Sequence, residues 1–400
     1  MSQAAAATAL QPPHLPEVLG LAALARLAFE GADLNPVWNQ LIERIGADAT
    51  DAGALMDAST LLILTGDRER GLQFQAKAIG LSRAFRRAAA QPGGLRLASI
   101  VTAGDTMANT PVDFLLEGSD VELISLYLDP GAEIAQLPDH DIALLAIGES
   151  ESGQAALELL QPLLKRWPRP LLNGAPGAIA ALSRDGVSDL FMGSSHVLAP
   201  ASRRATRAEI AAMAGSRLTG PILVRPLASH AGAGLEKIDE AAALVAYLAS
   251  QDAEQFYLCP FIDYASADGL YRKQRIAMIA GRPFVCHMAV SERWMVHYLN
   301  AGMDESAEKR AEEAAFMAAF DDDFARRHRA AFAELQARIG LDYFAIDCAE
   351  APNGRLLLFE ADVAMIVHAM DPPDLFAYKR PQMAKVFAAF RAMLANAAPV

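Results

Sequence analysis

Apolar residues change their spacing along the chain, and each change marks a different kind of element. Over residues 15–90 they recur at the three- and four-residue intervals of a helix face, most clearly in Ala54-Leu55-Met56 and Leu61-Leu62-Ile63-Leu64, so helices are expected throughout. The breaker Thr65-Gly66-Asp67 separates this stretch from a second helix running to Leu81, which predicts a helix–turn–helix hairpin. Pro92-Gly93-Gly94 then ends the helical period. Residues 95–103, 121–128, 142–147 and 168–173 are short apolar runs suited to buried strands, with Asp141 just before the third and a helical stretch at 154–167. Strand alternating with helix predicts a small α/β domain with a largely parallel sheet.

The pattern shifts again near Ser183. Strands are expected near 220–225, 255–262, 275–280 and 283–290, with helices at 206–214 and 239–250. The last two of these strands form a hairpin turning at Gly281-Arg282. An Ala- and charge-rich helical insertion follows over 305–339, its charges expected on a solvated face, and a final hairpin closes the series.

At 400 residues the chain is long enough for several cores. The expected division is a helical domain at 1–92, a small α/β domain at 93–190 and a third domain at 191–400, the last split into a smaller part (195–262) and a larger one (263–400). The Gly66-Asp67 and Lys77-Ala78-Ile79-x-Leu81 spacing resembles one tetratricopeptide repeat, short of the three units a free-standing solenoid needs. A TPR-like module offers a surface for a protein partner; a plain helical cap fits the same residues.

Composition narrows the function classes. Hydrophobic residues make up 53% of the chain, yet no run approaches the ~18 apolar residues that span a bilayer, so no membrane association is expected. The Ala-rich residues 1–10 lack the basic start and longer apolar core of a secretory signal, which suggests a tail on a cytoplasmic protein. Cys259, Cys286 and Cys348 are widely spaced, without the pairing of a disulfide framework or zinc site. A formal net charge of −13 opposes nucleic acid as a partner, although a local basic groove can still hold a nucleotide.

The strongest chemical signal lies near the C-terminus, in Tyr343-Phe344-Ala345-Ile346-Asp347-Cys348-Ala349, Pro352-Asn353-Gly354-Arg355 and Leu356-Leu357-Leu358-Phe359-Glu360-Ala361-Asp362. Asn-Gly favours a two-residue type I′ turn, which needs positive φ at both central positions. With that turn Pro352 pairs with Arg355, Asp347 falls opposite Glu360, and alternation places Asp362 on the same face. Facing carboxylates destabilise a hairpin. A cation removes the conflict, and hard oxygen donors suit magnesium, or manganese, shared with substrate phosphates. The alternative, acids facing solvent at a sheet edge, is disfavoured by the Leu-Leu-Leu-Phe run.

A second constellation is Gly220-Pro221-Ile222-Leu223-Val224-Arg225-Pro226 followed by Ser229-His230-Ala231-Gly232-Ala233-Gly234. A basic residue inside an apolar strand is costly unless it meets an anion, and a Gly-rich loop lets backbone N–H groups approach phosphates. The segment is no P-loop, and Lys237 breaks the GxGxxG fingerprint. Gly148 to Gly153 misses the GxSxG elbow, and none of the eight histidines forms HExxH.

Together these segments resemble the ATP-grasp superfamily, whose metal signature is an Asp-bearing strand followed by a Glu-x-Asn strand. Ala345-Ile346-Asp347 with Glu360-Ala361-Asp362 resembles it, with Asp362 in place of the usual Asn. The resemblance runs from residue 95 to the C-terminus and is nearest to glutathione-synthetase-like and ribosomal-protein-modifying ligases. It implies an α/β (α+β) ATP-grasp fold behind the small α/β domain and the all-helical N-terminal domain.

The residues it would recruit follow position by position. Asp347, Glu360 and Asp362 would hold magnesium. Arg225 and Arg184 stand where phosphate-binding lysines are usual, Arg184 in the opening segment Asn173-Gly174-Ala175-Pro176, Ser183-Arg184-Asp185 and Pro200. Ser229, His230, Gly232 and Gly234 would form the lid over the phosphates, and Pro260, Phe261, Ile262 and Asp263 the hinge that grips adenine, through the Pro260 carbonyl and the Ile262 N–H. Arg275 would join Arg225 in stabilising the transferring phosphoryl group. Arg272, Lys273 and Arg293 are further basic candidates; with Asn300, in an Asn-x-Gly element ending at Gly302, and His368, Arg272 and Arg293 would face substrate.

The implied reaction uses ATP and Mg2+ to turn a small-molecule or peptide carboxylate into an acylphosphate, which an amine then attacks, releasing ADP. A homodimer is compatible with this reading. The alternatives are a non-catalytic nucleotide- or peptide-binding scaffold using the helical domain, and a phosphotransferase of the same fold.

Overall fold

In the computed structural model, which describes residues 15–129, 131–227, 229 and 232–398, four helices form where helical spacing predicts them: α1 (Leu21–Phe29), α2 (Asn35–Ala47), α3 (Ala52–Leu64) and α4 (Arg68–Leu81). The tail at residues 1–10 and His230 lie outside the described residues. Asp51 and Asp67 cap α3 and α4 by accepting the N–H groups of Ala54 and Arg70 at 2.9 and 3.3 Å, each cap contributing about 1 kcal/mol. α3 buries residues around most of its circumference, since α1, α2 and α4 flank it and Met56 packs on Phe85 and Tyr127 of the first sheet.

The helical expectation fails at the end of this stretch. Ala84–Arg87 is a strand, β1, antiparallel to β3 (Glu122–Tyr127). The open edge of β3 offers unpaired backbone groups, and the short apolar pair Ala84-Phe85 closes it. β2 (Arg96–Val101), β3, β4 (Ile142–Leu145) and β5 (Leu171–Leu172) run parallel as expected, in the order β1-β3-β2-β4-β5. α5 (Val112–Leu115) and α6 (Glu151–Leu164) complete this layer.

After α7 (Pro176–Ala180), α8 (Arg184–Leu190) and the short β6 (Val197–Leu198), a four-stranded antiparallel sheet forms from β7 (Arg203–Thr206), β8 (Ile222–Pro226), β9 (Glu236–Ile238) and β10 (Gln255–Pro260), in the order β7-β10-β8-β9. α9 (Arg207–Met213), opened by a Thr206/Glu209 capping box, and α10 (Ala243–Ala249) cover it. Its core is its own, built from Val224, Ile238, Tyr247 and Phe256 with their neighbours.

The third sheet holds β11 (Tyr271–Ile279), β12 (Arg282–Ser291), β13 (Tyr343–Glu350) and β14 (Leu356–Asp362) in the order β12-β11-β13-β14-β6. The β11–β12 turn is Ala280-Gly281, one residue earlier than expected, with φ of 48° and 77° at its two positions. The insertion divides into α11 (Ala307–Ala319), α12 (Phe324–Arg327) and α13 (Arg329–Ile339); α14 (Pro373–Phe376) and α15 (Arg380–Ala397) close the chain. Among the described residues no helix is long and apolar enough to cross a membrane.

The first and third sheets share two apolar clusters, one joining Ile100 and Leu145 to Phe344 and Ile346, the other joining Leu97 and Leu144 to Tyr343 and the α15 residues Val386 and Phe390. Asn173 staples the two sheets. Buried, at φ 51°, a conformation asparagine tolerates, it accepts the N–H groups of Asp342 and Tyr343 at 2.8 and 2.9 Å and donates to the Tyr343 carbonyl at 2.7 Å.

Candidate active site

The acidic hairpin forms, by a different route from the one its sequence suggests. Ala351 N–H bonds to the Arg355 carbonyl and Gly354 N–H to that of Ala351, so the tip is a three-residue loop. Pro352 suits the second position of a type I turn, and Gly354, at φ 78°, takes the left-handed position after it. The extra loop residue shifts the inner pairs to Ala349 opposite Leu357 and Cys348 opposite Leu358; a bulge between Asp347 and Cys348 then restores Asp347 opposite Glu360 and Ala345 opposite Asp362. All three carboxylates face one cleft of about 500 Å3.

Cations already meet two of them. Arg275, opposite Asp347 on β11, forks onto it at 2.8 and 3.1 Å and donates to the Ile366 carbonyl at 3.0 Å, while Lys273 Nζ stands 2.7 Å from the same carboxylate. Burial pushes the Asp347 carboxyl up, but the Arg275 and Lys273 charges outweigh it and hold the group far below the usual range. Arg184, at the start of α8, reaches Glu360 at 2.8 Å; its charge likewise overcomes burial and keeps Glu360 low. Asp362 accepts the Ala364 N–H at 2.9 Å and has no salt bridge among the described residues. Burial pushes its carboxyl up to about 7.

Arg225 points from β8 into the cleft. Burial, with Arg184 nearby, lowers it to about 10, so it remains charged at neutral pH. Its guanidinium is held by the hydroxyl of Ser229 at 3.1 Å and by that residue's carbonyl. Gly232, at φ 79°, lines the cleft, and a Cβ there would stand 3.4 Å from Met295 Sδ. Gly234 does not line it; its carbonyl accepts the Tyr247 hydroxyl at 2.8 Å. Pro260, Phe261 and Ile262, the expected hinge, line one wall of the cleft. Phe261 N–H is taken by the Pro221 carbonyl at 2.9 Å, whereas Ile262 N–H has no backbone partner among the described residues. Asp263 lies outside, accepting the Ala265 N–H.

The expected substrate residues scatter. Arg272 is spent on Asp268, at 2.7 Å, and on Glu312. Arg293 and Asn300 line a separate cavity of about 520 Å3 that shares only Leu235, Trp294 and Met295 with the cleft. His368 lines an apolar cavity of about 350 Å3 against α1, its ring between Phe29 and Phe114.

No family model and no curated protein matches the chain. Solved structures similar to it include "RimK domain protein ATP-grasp" from Sphaerobacter thermophilus DSM 20745, at 16% identity and TM-score 0.43, covering 75% of this chain and 99% of that one. D-alanine–D-alanine ligase from Bacillus anthracis follows at 11% identity and TM-score 0.44, covering 76% and 98%. VanG D-Ala:D-Ser ligase from Enterococcus faecalis stands at 12% identity and TM-score 0.44, covering 75% and 100%. At such distances, the site's own side chains decide what it can do.

Several cleft residues carry no sequence signal: Met107 between β2 and α5, Trp294, Met295 and His297 after β12, and Met365 and Ile366 after β14. They sit on loops, where no periodicity marks a facing side chain. Burial, with Lys273 and Arg275 nearby, pushes the His297 imidazole below its ordinary range, so it stands neutral at physiological pH.

Proposed function

We propose that the chain is an ATP- and magnesium-dependent ligase of the ATP-grasp type, which activates a small-molecule or peptide carboxylate as an acylphosphate and joins it to an amine, releasing ADP. One observation supports this above the rest: the charge balance of the cleft. Arg184, Arg225, Lys273 and Arg275 converge on Asp347, Glu360 and Asp362, the last close to half-protonated at neutral pH. The cations exceed the negative charge they face, so the cleft favours an added anion, and a triphosphate supplies one.

Magnesium fits part of the donor set. Glu360 and Asp362 share one face of β14, and Asp362 lacks a cation of its own; such a pair suits an ion that keeps several waters and completes its shell with phosphate. Asp347 is already neutralised, and among the described residues no three His, Cys, Asp or Glu groups form a ready cage. Glu360 and Asp362 would therefore hold the ion, with Asp347 orienting Arg275. When bound, magnesium would offset charge on the transferring phosphoryl group.

The chain's own residues do the remainder. Arg225 and Arg184 would bind the phosphates, Arg184 exchanging Glu360 for them as magnesium takes over that carboxylate. Arg275, fixed by Asp347 and the Ile366 carbonyl, would present a preorganised charge to the γ-phosphate without rearranging. The Pro260 carbonyl and Ile262 N–H would grip the base. Met295, facing Gly232, and Trp294, packed on Phe261, would exclude the water that hydrolyses an acylphosphate.

Thermal unfolding with ATP tests the binding step. The melting temperature should rise little with ATP alone and substantially with ATP and magnesium; unchanged melting in both would remove the nucleotide. ADP release screened against amino acids and peptides tests the chemistry. A phosphorylated product that is stable in place of an amide would move the reading to a phosphotransferase.

A further inference from the structure

The cleft has two ends. On the Glu360 side stand Arg184, Arg225, Cys259 and the hinge; on the Asp347 side stand Lys273, Arg275, His297 and Ile366. The second end is lined from two segments far apart in sequence, by His297 and Leu299 on one and by Met365 and Ile366 on the other, and each segment holds a residue of the same buried ionic cluster, Tyr298 and Asp371.

At its centre is Glu313 of α11, fully buried. It accepts the Tyr298 hydroxyl at 2.8 Å, the Tyr378 hydroxyl at 2.6 Å and the Met288 N–H at 2.9 Å. Lys379, also buried, stands 3.6 Å from Glu313 and 3.3 Å from Asp371. It donates to the Tyr298 hydroxyl and lies over the Tyr298 and Phe376 rings at 3.9 and 4.6 Å. Tyr298 opens the short turn Tyr298–Asn300, next to the wall residues His297 and Leu299. Asp371 lies five residues beyond Ile366, whose carbonyl receives Arg275.

A buried ion pair is weak evidence for stability, because desolvation offsets most of its Coulomb gain, and a well-packed apolar pair fills the same space as well or better. Its geometry is directional, however, and fixes the groups that satisfy it. We propose that Glu313, Lys379, Tyr298 and Tyr378 form a positioning brace that couples the two walls of the Asp347 end, so that they hold or shift together. Given the ligase reading, that end receives the acceptor amine, and the brace sets the width of its pocket without touching ATP.

The test uses the full chain carrying Tyr378→Phe or Asp371→Asn, neither of which alters residues 292–300. Hydrogen exchange is followed in peptides covering 292–300, 363–371 and the hinge 255–262. Exchange should rise about tenfold in both segments, the order expected from one lost hydrogen bond to a buried charge. The hinge and the melting increment given by the non-hydrolysable analogue AMP-PNP with magnesium should stay as in the parent. A merely structural role predicts a lower melting temperature without selective coupling. A rise confined to 363–371, an equal rise in the hinge, or no change with either variant overturns the brace. Absence of any AMP-PNP shift in the parent would instead remove the nucleotide reading and leave the coupling result standing.

Discussion

Glu360→Gln should destabilise the ligand-free protein, the reverse of what three facing carboxylates suggest. From charge repulsion alone, loss of one acid would relieve strain. In the structure Glu360 carries Arg184 at 2.8 Å, with side chains only 24% and 31% exposed. Two unit charges about 4 Å apart at an effective dielectric near 20 attract by about 4 kcal/mol before desolvation is charged against them. Exposed pairs retain about 0–1 kcal/mol, and breaking a fully buried pair costs about 3–5 kcal/mol. This half-buried pair therefore falls near 2 kcal/mol, or about 4–8 °C in the melting temperature of a domain of ~200 residues. The assay is thermal unfolding in chelator-containing buffer of the parent, Glu360→Gln, Arg184→Gln and the double variant. The double variant should lose about 1–2 kcal/mol less than the two single losses combined. With ATP and magnesium, both single variants should lose most of the ligand-induced shift. A Glu360→Gln protein as stable as the parent, or more so, refutes the pairing and restores repulsion as the governing term.

Three further outcomes follow from the same geometry. Arg275→Lys keeps the charge but cannot fork onto Asp347 and also reach the Ile366 carbonyl; ADP formation should fall at least tenfold with little change in ATP binding, and a near-parental rate would take Arg275 out of the chemistry. Gly232→Val places a β-branched residue at φ 79° beside Met295, so it should cost about 1–2 kcal/mol of stability as well as lid closure; unchanged melting would mean the loop adopts another shape. Burial raises the Asp57 carboxyl of α3 from 3.8 to about 6, so the folded chain retains a proton there that the unfolded chain gives up. That stabilisation is complete below about 3.8 and lost as pH rises through about 6, worth about 3 kcal/mol in all. The parent should therefore lose about that much stability relative to Asp57→Asn between pH 4 and pH 7, and a constant difference in denaturant midpoints would refute the shift.

The hairpin shows how far the amino-acid order carries. Its apolar runs and its three acids were legible because strand alternation is a strict period, and Asp347 does face Glu360. The path between them was not: Asn353-Gly354 suggested a two-residue turn, while Pro352 favoured the type I loop that forms, and a bulge that leaves Phe359 unpaired absorbed the difference. The cations of the cleft were legible as residue types, but Arg184 rests on an acid 176 positions away, and no local pattern encodes such a pair. Glu313 was misplaced among solvated charges although its spacing to Met317 and Phe320 puts it on the apolar stripe of α11. Arg272 failed for the opposite reason, since nearby acids on exposed elements took it first.

Asn173 has a mechanical corollary. By tying the end of β5 to the start of β13, it makes the first and third sheets one body with a continuous interior, whereas the sheet carrying Arg225 keeps a separate core. Any rotation between those two bodies would change the reach of Arg225 and of residues 260–262 while leaving the distances among Asp347, Lys273 and Arg275 fixed. Such an opening would come from one jaw only, and the stationary jaw would be the one that carries the acids.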